Sequence, residues 1–462
     1  MASVGLNFGS ATSGTGFDVT TTVNSILAIQ QGIETPWQTQ LTALGSQETA
    51  LSTIGTDLSS LTTAVQALTD PEGTFALKEG AVSDPSVLTL TNADNTAIAG
   101  SHSIVVTSLA STASSFTDEV PSATAAISGS ITIAGTTVST SSSVNTLSTL
   151  AAAINSDSLG VTASVISDAN GERLSFTSST SSTSGAAGQS VISGITSALS
   201  FTTATDSTPT TLNVNAGNTG LDASLTVDGV SVDSASNTVS GAISGVTLQL
   251  LAPSSSGPVQ VQVTNDNTDI ETAVQTFVTA YNQVNTDINT QEGDNSSGNP
   301  EPLFGSSVLS QLQNSLQSAL FGGSTVGSIS SISQLGITVN SDGSLTFDSS
   351  TLDGLLNSNF SDVQGFLQNA GSFGANLATT LGNLGTQAPN GAIFLAEQQN
   401  SAQQSALNTD ITNENTEIAA EKITLTTQLN TANQTLQQIP EQLSEINQIY
   451  SAVTGFDENP QG

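Results

Sequence analysis

Few side chains in this sequence could carry out covalent chemistry. His102 is the single histidine among 462 residues, and cysteine is absent. A serine–histidine–aspartate arrangement would therefore have to use His102, which stands in the peptide Gly100-Ser101-His102-Ser103 just before a predicted strand. We interpret this residue as an exposed histidine at a strand end. The absence of cysteine also excludes zinc–thiolate sites and cysteine nucleophiles.

Paired carboxylates and oxygen ligands are the remaining candidates. Any two of the 38 acidic residues could meet in a cleft, as in glycosidases, but the β-rich middle of the chain has no Trp or Tyr on which a sugar could stack. The peptides 168–172 and 265–269 are rich in oxygen ligands, yet neither matches the twelve-residue calcium loop with its closing Glu. Gly14-Thr15-Gly16 lacks the third glycine and the preceding strand of a dinucleotide site. We therefore expect no enzyme activity, no catalytic residue, no metal site and no cofactor.

The charge balance is extreme. Lys78, Arg173 and Lys422 are the only Lys and Arg residues, and the formal net charge is −35. Binding to nucleic acid requires Lys or Arg at the phosphates, so a nucleic-acid partner is excluded, and docking to anionic lipid is disfavoured for the same reason. Only 36% of the residues are hydrophobic, below the usual proportion of about 45–50%. The chain can therefore bury several small cores rather than one large core.

Targeting signals are not evident. The peptide 1–10 has neither the basic region nor the apolar region of a cleaved signal peptide. No run of about 18 apolar residues is present, so membrane insertion is not expected. These features fit a cytosolic protein, whereas the Ser/Thr-rich, Lys-poor and Cys-free composition is typical of extracellular surface proteins. Export without a cleaved signal peptide would reconcile the two.

The elements that would position functional residues begin with an apolar stripe near the N-terminus. From position 19 to 68, residues taken alternately four and three apart are apolar at twelve of fifteen places, which predicts a coiled coil or a long bundle helix. Gly32 and Pro36 interrupt the stripe, and Thr35 is the predicted N-cap of a second helix. The stripe includes Val19, Val23, Ile26 and Ile33 before the interruption and Leu51, Ile54, Leu58 and Leu61 after it.

The C-terminal end carries a matching stripe. The same spacing over 411–453 is apolar at every position from Leu425 onward. Its members include Leu425, Leu429, Leu436, Ile439, Leu443 and Ile446. Pro440 falls inside it, and a proline within a helix costs about 3 kcal/mol, so we expect a kink or a break there. The simplest apolar partner of one stripe is the other; two helices of an ordinary bundle are the alternative.

Between the stripes the apolar pattern alternates with period two over about 80–266, which predicts short β-strands. Asp228-Gly229 between apolar segments predicts a type I′ hairpin, because both turn residues need positive φ. Helix returns at Thr268, a predicted N-cap, and continues through Phe277 and Tyr281; a second hairpin is predicted at 337–347. The predicted fold class is multidomain α+β, in which both chain ends form a helical coiled-coil and leg domain and β-rich head domains are inserted between them.

This pattern divides the chain into consecutive segments. The predicted division is 1–40, an N-terminal coiled-coil segment; 41–79, a leg helix; 80–115, the first part of the head; 116–204, an inserted second head domain; 205–266, the second part of the head; 267–410, a helical leg domain with a hairpin; and 411–462, a C-terminal coiled-coil segment. This order suggests an elongated molecule with both termini at one end.

Several peptides, taken in order, resemble one known family. Gly14-Thr15-Gly16-Phe17-Asp18-Val19, followed by the apolar stripe, is similar to the Gly-Ser-Gly-Leu-Asp opening of the bacterial flagellar filament cap proteins, FliD or hook-associated protein 2. Residues 82–88 and 101–109 resemble that family's entry into the head, and 147–178 resembles a repeat shared by flagellins and cap proteins. The peptides 274–282, 302–305 and 335–348 resemble its C-terminal module. The resemblance covers nearly the whole chain.

The resemblance implies a structural cap at the distal tip of the bacterial flagellar filament, which promotes the folding and insertion of flagellin subunits and prevents their loss. The implied partners are further copies of the chain in a homo-oligomeric ring, flagellin and the filament tip, and a cytoplasmic export chaperone at the C-terminal helix. The implied location is extracellular, at the flagellum tip, reached through the flagellar export channel without a cleaved signal peptide. Some cap proteins also act as adhesins, so binding of host mucin or glycans by the β head is the alternative function. A flagellin or a junction protein is disfavoured because 335–348 resembles caps specifically.

The stripes and the resemblance together assign roles to residues. The residues that we expect to face the filament are Val19, Val23, Ile26, Ile33, Leu425, Leu429, Leu436, Ile439, Leu443 and Ile446. Those that we expect to pack inside the leg are Leu51, Ile54, Leu58, Leu61, Phe277 and Tyr281. The chain departs from the family in its near-absence of Lys and Arg, so family contacts made by basic residues are not carried over. Pro440 is a second departure.

Overall fold

The computed structural model of the protein describes residues 16–122, 125–181, 187–203, 207–322 and 327–455. The peptide 1–10, the Gly14-Thr15 start of the opening motif and residues 456–462 lie outside these described residues. The chain divides into two compact units. A helical unit contains residues up to 69 and from 271 onward, and a β unit contains residues 70–270. The predicted α+β class, with helices at both ends and a β-rich middle, is confirmed.

Helix starts are set by side chains that accept hydrogen bonds from the first turn. The described helices are α1 (Val19–Gln31), α2 (Glu34–Thr69), α3 (Leu147–Ser156), α4 (Ala187–Ser193), α5 (Asn267–Gln291), α6 (Ser307–Phe321), α7 (Ser349–Gln368), α8 (Phe373–Leu384) and α9 (Ala392–Thr454). Asp18 caps α1 by accepting from the Thr21 N–H, and Asp348 caps α7 in the same way. Thr146 and Thr149 form a reciprocal capping box at α3.

The strands are short and pair antiparallel. They are β1 (Lys78–Val82), β2 (Leu88–Ala93), β3 (Gly100–Ser108), β4 (Thr112–Thr117), β5 (Ile127–Ser128), β6 (Ser130–Ile133), β7 (Thr136–Ser139), β8 (Val161–Ser167), β9 (Glu172–Ser181), β10 (Thr196–Ser197), β11 (Leu199–Phe201), β12 (Thr210–Leu212), β13 (Val214–Ala216), β14 (Ala223–Val227), β15 (Val230–Ser234), β16 (Thr238–Ile243), β17 (Val246–Leu250), β18 (Val259–Asn265), β19 (Ile337–Val339) and β20 (Leu345–Phe347). In the β unit the sheet orders are β1-β18-β3-β14-β15, β16-β17-β2, β13-β4-β9-β8, β10-β6-β7 and β12-β11-β5. In the helical unit β19 pairs with β20.

The β unit has two separate cores, because alternate residues of each strand point to the same side. One core is shared by the sheet that contains β3 and the sheet that contains β17, and its buried members include Leu88, Ile104 and Val261. The other lies between the shorter sheets and α3, and Phe176 is fully buried in it. The predicted hairpin at Asp228-Gly229 joins β14 to β15, and both turn residues have the positive φ that a type I′ turn requires (52° and 83°).

The core of the helical unit contains the apolar faces of α2 and α5. The buried residues of α2 recur at three- and four-residue intervals from Leu51 to Leu68, as expected of an amphipathic helix. On α5 the equivalent face contains Val274, Phe277 and Tyr281, all buried. Phe366 of α7 stacks on Phe373 of α8, with ring centroids 5.0 Å apart. Each helix therefore buries an apolar stripe and leaves a face of hydroxyl and amide side chains in solvent.

Two predicted caps are wrong. Thr35 lies inside α2, which begins at Glu34, because the chain re-enters the helix directly after the interruption at Gly32 and Ile33. Thr268 lies inside α5; the side chain of Asp266 accepts from the Asp269 N–H instead. The start of α2 therefore lies one residue before the predicted cap, and the capping side chain at α5 lies two residues before it.

Of the two outcomes expected at Pro440, a kink or a break, the break is wrong. The helix α9 runs without interruption from Ala392 to Thr454 with Pro440 inside it. Pro440 has no N–H to donate to the Leu436 carbonyl, and Leu436 is only half-buried between exposed neighbours, so this carbonyl can bond to water. The segment boundaries proposed at 40/41 and 410/411 fall within α2 and α9, so neither coincides with a helix end.

Candidate functional site at the paired chain ends

The first helix of the chain packs against the last. Val23 and Leu27 of α1 and Ile418 of α9 form a buried cluster. Val19 of α1 and Leu425 and Leu429 of α9 pack against it and are partly buried. The stripes predicted at the two ends of the sequence therefore meet. Hydrophobic burial at this seam is the main attraction between the helices, because few polar side chains of α1 reach α9.

Polar contacts fix the direction of the pair. The Phe17 N–H donates to Asn433 Oδ1 at 2.8 Å, near the start of α1. Near its end, Gln30 Nε2 donates to Glu421 Oε2 at 2.5 Å. As residue numbers rise along α1 they fall along α9, so the two helices are antiparallel. The chain before Phe17 makes a close approach: Gly16 has a φ of +64°, and a Cβ there would lie 2.2 Å from Asn433 Oδ1.

The pairing continues along α2. Asn400 of α9 is buried, and its Nδ2 donates to the Leu44 carbonyl at 2.9 Å. Further along, the Cα of Gly55 faces Ile393, whose Cγ2 would lie 3.3 Å from an added Cβ. A small residue at this position lets the two helices approach. The α9 helix thus lies antiparallel to α1 and to α2 in turn, across the joint at Gly32.

Beyond Pro440 the apolar stripe of α9 is exposed in the described chain. Leu443 is 42% exposed, Ile446 60% and Val453 80%. These side chains recur at the same four- and three-residue spacing as the paired part of the stripe, and Tyr450 lies between the last two and is exposed as well. We refer to Leu443, Ile446, Tyr450 and Val453 as the distal stripe. A contiguous exposed apolar face of this kind is typical of a protein-interaction surface.

The structure places the predicted site residues in three environments. Val19, Val23, Leu425 and Leu429 lie in the seam between α1 and α9. Leu436 and Ile439 are half-buried, whereas Leu443 and Ile446 are exposed. Ile26 is half-buried and Ile33, at the joint, is 51% exposed. The residues predicted to pack the leg, Leu51, Ile54, Leu58, Leu61, Phe277 and Tyr281, are all buried in the helical unit. Their assignment to the filament or to the leg stays a prediction.

Sequence reasoning missed Leu27 and Asn433. Leu27 is buried in the seam although it lies outside the four–three series drawn from Val19. Its four-residue distance from Val23 was the available signal, because helix positions i and i+4 share a face. Asn433 accepts the N–H of Phe17 across the pair, and no pattern in the sequence indicates that contact.

The side chains considered for chemistry have structural partners. His102 is 24% exposed and its Nδ1 lies 2.8 Å from Asp228 Oδ2, so the interpretation as an exposed strand-end histidine is wrong. The Ser103 N–H donates to the other oxygen of Asp228, and this bond, with that of His102, holds the pKa of the carboxyl below its usual range. The two residues join β3 to the β14–β15 turn.

The oxygen-rich peptides are a turn and a cap. Asp168 accepts the N–H groups of Asn170 and Gly171 in the turn between β8 and β9, and it also pairs with Arg173. Arg173 contacts Glu119 as well and lies over the Phe116 ring. Within the described residues, no group of three or more His, Cys, Asp or Glu side chains is placed to hold a metal ion. None of the described helices combines the length and the apolar character needed to cross a membrane.

Comparison with known proteins identifies the family. Residues 15–113 match the profile of the flagellar hook-associated protein 2 N-terminus, and residues 220–441 match that of its C-terminus. Residues 130–180 match the flagellin hook IN motif. The two hook-associated protein profiles together span about two thirds of the chain, and the flagellin motif falls between them, in the region that contains α3 and the β8–β9 hairpin.

Individual relatives agree. The B-type flagellar hook-associated protein 2 of Pseudomonas aeruginosa is 29% identical over 297 residues, which are 60% of this chain and 63% of the relative. The flagellar hook-associated protein 2 of Escherichia coli is 28% identical over 390 residues, 80% of this chain and 82% of the relative. The crystal structure of the D1-D2-D3 domains of the flagellar cap protein FliD from Escherichia coli has a TM-score of 0.58 and 27% identity, and the match covers 76% of this chain and 99% of that one. With profiles of both ends matched in order around a β-rich insertion, the chain belongs to the flagellar hook-associated protein 2 (FliD) family.

Proposed function

We propose that this protein is the structural cap at the distal tip of the bacterial flagellar filament, where it promotes the folding and insertion of flagellin and prevents its loss. The observation that carries the proposal is the match of residues 15–113 and 220–441 to the two hook-associated protein 2 profiles. A relative whose match covers 80% of the chain is named flagellar hook-associated protein 2, and the similar crystal structure is that of a flagellar cap protein. The work is steric and conformational, and no covalent step is assigned to any residue.

The paired chain ends fit a filament-facing role. The start of α1 packs against α9 near Asn433, and the distal stripe extends the apolar face of α9 beyond this contact. We propose that several copies of the chain form a ring at the tip, and that this face contacts the filament. An apolar face suits such a contact. The chain has only three Lys and Arg residues and a net charge of −35, so it offers few basic residues for ion pairs with a partner.

A deletion experiment tests the cap role. In the source bacterium, loss of the gene is expected to leave cells that release monomeric flagellin and lack filaments, visible by electron microscopy of cells and by immunoblot of the medium. Normal filaments in the deletion strain would contradict the proposal. Rings in electron micrographs of the purified protein would give the number of copies.

Paired variants test the filament-facing surface. Val23→Asp places a charge in the buried α1–α9 seam, whereas Asn24→Asp adds the same charge at an exposed neighbour. The Val23→Asp protein is expected to be exported but to fail to restore filaments, and Asn24→Asp to restore them. If both variants restore filaments equally well, the α1–α9 seam is not required for filament assembly.

We also propose that the distal stripe is the part of the C-terminal helix that a cytoplasmic export chaperone binds before export. Ile446→Asp is expected to weaken binding of the purified flagellar export chaperone of the same bacterium at least tenfold, and Gln448→Asp, on an exposed position two residues away, to leave it unchanged. Calorimetric titration measures both. Location at the flagellum tip after passage through the export channel forms part of this proposal.

Binding of host mucin by the β unit stays a prediction. Saturable binding of the full chain to immobilised mucin, abolished when soluble mucin competes, would support it, and no binding would reject it.

A further inference from the structure

We propose that Asp57 of α2 and Asp287 of α5 share a single proton across the interface between these helices, so that the helical unit is held more tightly in mild acid than at neutral pH. This concerns the stability of the helical unit and does not depend on the cap function.

The side chains of Asp57 and Asp287 meet within hydrogen-bond reach of each other. Asp57 and Asp287 are both half-buried, beside the fully buried Leu58 and Val284 of their own helices. Asp287 Oδ2 is shielded from solvent, and no described residue donates a hydrogen bond to it. An ionised carboxylate can only accept, so two of them in contact leave both oxygens without a donor. A proton on one of them supplies the missing donor.

The same contact changes the acidity of Asp57. The hydrogen bond with Asp287, followed by burial and by the repulsion between the charges, raises the pKa of Asp57 to about 6, against a partial offset from the Gln283 side chain. Gln283 Nε2 also donates to Asp287 Oδ1, at 3.3 Å. One amide therefore serves both carboxylates and cannot replace the proton.

No positive charge is positioned to separate the two. Asp57 borders an open groove of about 650 Å³ that Glu271 and Ser349 also line, and Asp348 next to Ser349 caps α7. Asp287 borders a second groove of about 370 Å³ lined by hydroxyl, amide and apolar side chains. The only Lys or Arg of the helical unit is Lys422, next to Glu421, whose carboxylate contacts α1 and not this interface. Both grooves are open to solvent, so the shared proton can exchange with the medium.

A second pair of carboxylates, Glu48 of α2 and Glu397 of α9, gives a pH dependence of stability in the same direction. Burial, with a smaller effect from Glu48, raises the pKa of Glu397 on α9. Gln404 Nε2 donates to Glu48 Oε2 at 2.6 Å, which satisfies one member of this pair. The α2 helix is therefore opposed by a carboxylate on α5 and by another on α9.

The direction of the pH effect follows from proton linkage. Asp57 binds its proton up to about pH 6 in the folded state but only up to about 3.8 when unfolded. Between these values the folded state holds the extra proton, so stability falls as pH rises from about 4 to about 6 and is level above that. Allowing for solvent screening at a half-buried site, we expect the folding equilibrium constant to fall by about 10- to 100-fold over this range.

The test follows urea unfolding of the full chain between about pH 4.5 and 7.5, in a Trp37→Phe, Tyr450→Phe background. Tyr281, buried on α5 close to Asp287, is then the sole Trp or Tyr reporter. The parent is expected to lose stability across this range, and Asp57→Asn and Asp287→Asn to show a clearly shallower slope, because Glu397 still contributes in the same direction. Asp410→Asn, at an exposed position of α9, controls for the general repulsion among acidic residues and should keep the parental slope.

A second measurement covers variants that fold poorly. Carbon NMR of the parent chain, with labelled aspartate carboxyls, should show one resonance that titrates near pH 6 and is absent from either Asn variant. Titration of every aspartate in the ordinary range, or the same slope in Asp57→Asn and in Asp410→Asn, would overturn the proposal.

Discussion

The two units of this protein accommodate an excess of carboxylates in different ways. In the β unit, Asp84, Asp94, Asp168 and Asp228 lie at turns. The Ser86 and Thr96 hydroxyls, followed by backbone N–H groups, lower the pKa values of Asp84 and Asp94, and backbone N–H groups lead at Asp168 and Asp228. Turns in the helical unit do the same at Asp342 and Asp348. At the interfaces between long helices, however, backbone donors are used up within each helix, and carboxylates such as Asp57 face only other side chains. A nearly Lys- and Arg-free surface is therefore tolerated well at turns and poorly between helices.

The largest expected effects come from truncating one core side chain in each unit, which compares the stabilities of the two units. Leu58→Ala in the helical unit and Phe176→Ala in the β unit each remove a fully buried side chain and are expected to cost about 3–5 kcal/mol. Trp37 and both Tyr residues belong to the helical unit, so their fluorescence reports on that unit. Leu58→Ala should lower the unfolding midpoint seen by Trp37. Phe176→Ala should leave it unchanged while it speeds hydrogen exchange in β8 and β9.

If both truncations lower the Trp37 midpoint equally, the two units unfold as one, and their stabilities cannot be compared separately. Thr177→Ser, next to Phe176 on the same strand, is the matched control for the strand and should leave both measurements unchanged.

A smaller effect is expected at Asp118, in the opposite pH direction from Asp57. Its carboxylate accepts from the Asn213 N–H at 3.0 Å and from the Asn215 side chain at 2.7 Å, and these bonds, led by that of Asn215, lower its pKa. Its stabilisation is present above the unfolded pKa of about 4 and is lost as pH falls below it. Asp118→Ala is expected to cost about 1–2 kcal/mol at pH 7 and almost nothing in strong acid.

Hydrogen exchange of β4 and β13, measured at both pH values, checks the Asp118 prediction. Asp233→Asn, on the exposed face of β15, is the control and should change exchange at neither pH. A cost at Asp118 that is the same in acid would show that its contribution is steric and not electrostatic.

Much of this architecture could be predicted from residue spacing. The terminal stripes and the Asp228-Gly229 hairpin depend on local periodicity and on φ preferences, which a sequence displays directly. The predicted cap at Thr35 is wrong because helix resumes directly after Gly32 and Ile33, and the one at Thr268 is wrong because Asp266, two residues upstream, accepts the hydrogen bond instead. The pairing of Asp57 with Asp287 could not be predicted at all, since it joins residues 230 positions apart that have ordinary neighbours in the sequence. Contacts between side chains of distant helices depend on helix rotation, which periodicity fixes only for apolar faces.

The prediction with the smallest change in stability concerns trypsin cleavage after the three basic residues. Lys78 Nζ donates to Asn265 Oδ1 across the β1–β18 pair, and Arg173 is bound by Glu119 and Asp168 within a sheet. Lys422 is exposed on α9, where local opening of a helix with few partners requires less free energy than opening a sheet.

Trypsin is therefore expected to cleave first after Lys422, giving fragments 1–422 and 423–462 by intact mass spectrometry. Lys422→Gln, which should not change the unfolding midpoint, is expected to delay the first cut at least tenfold. Early cleavage after Arg173 instead would show that the β unit opens more readily than the helical ends, which reverses the ranking of the two units.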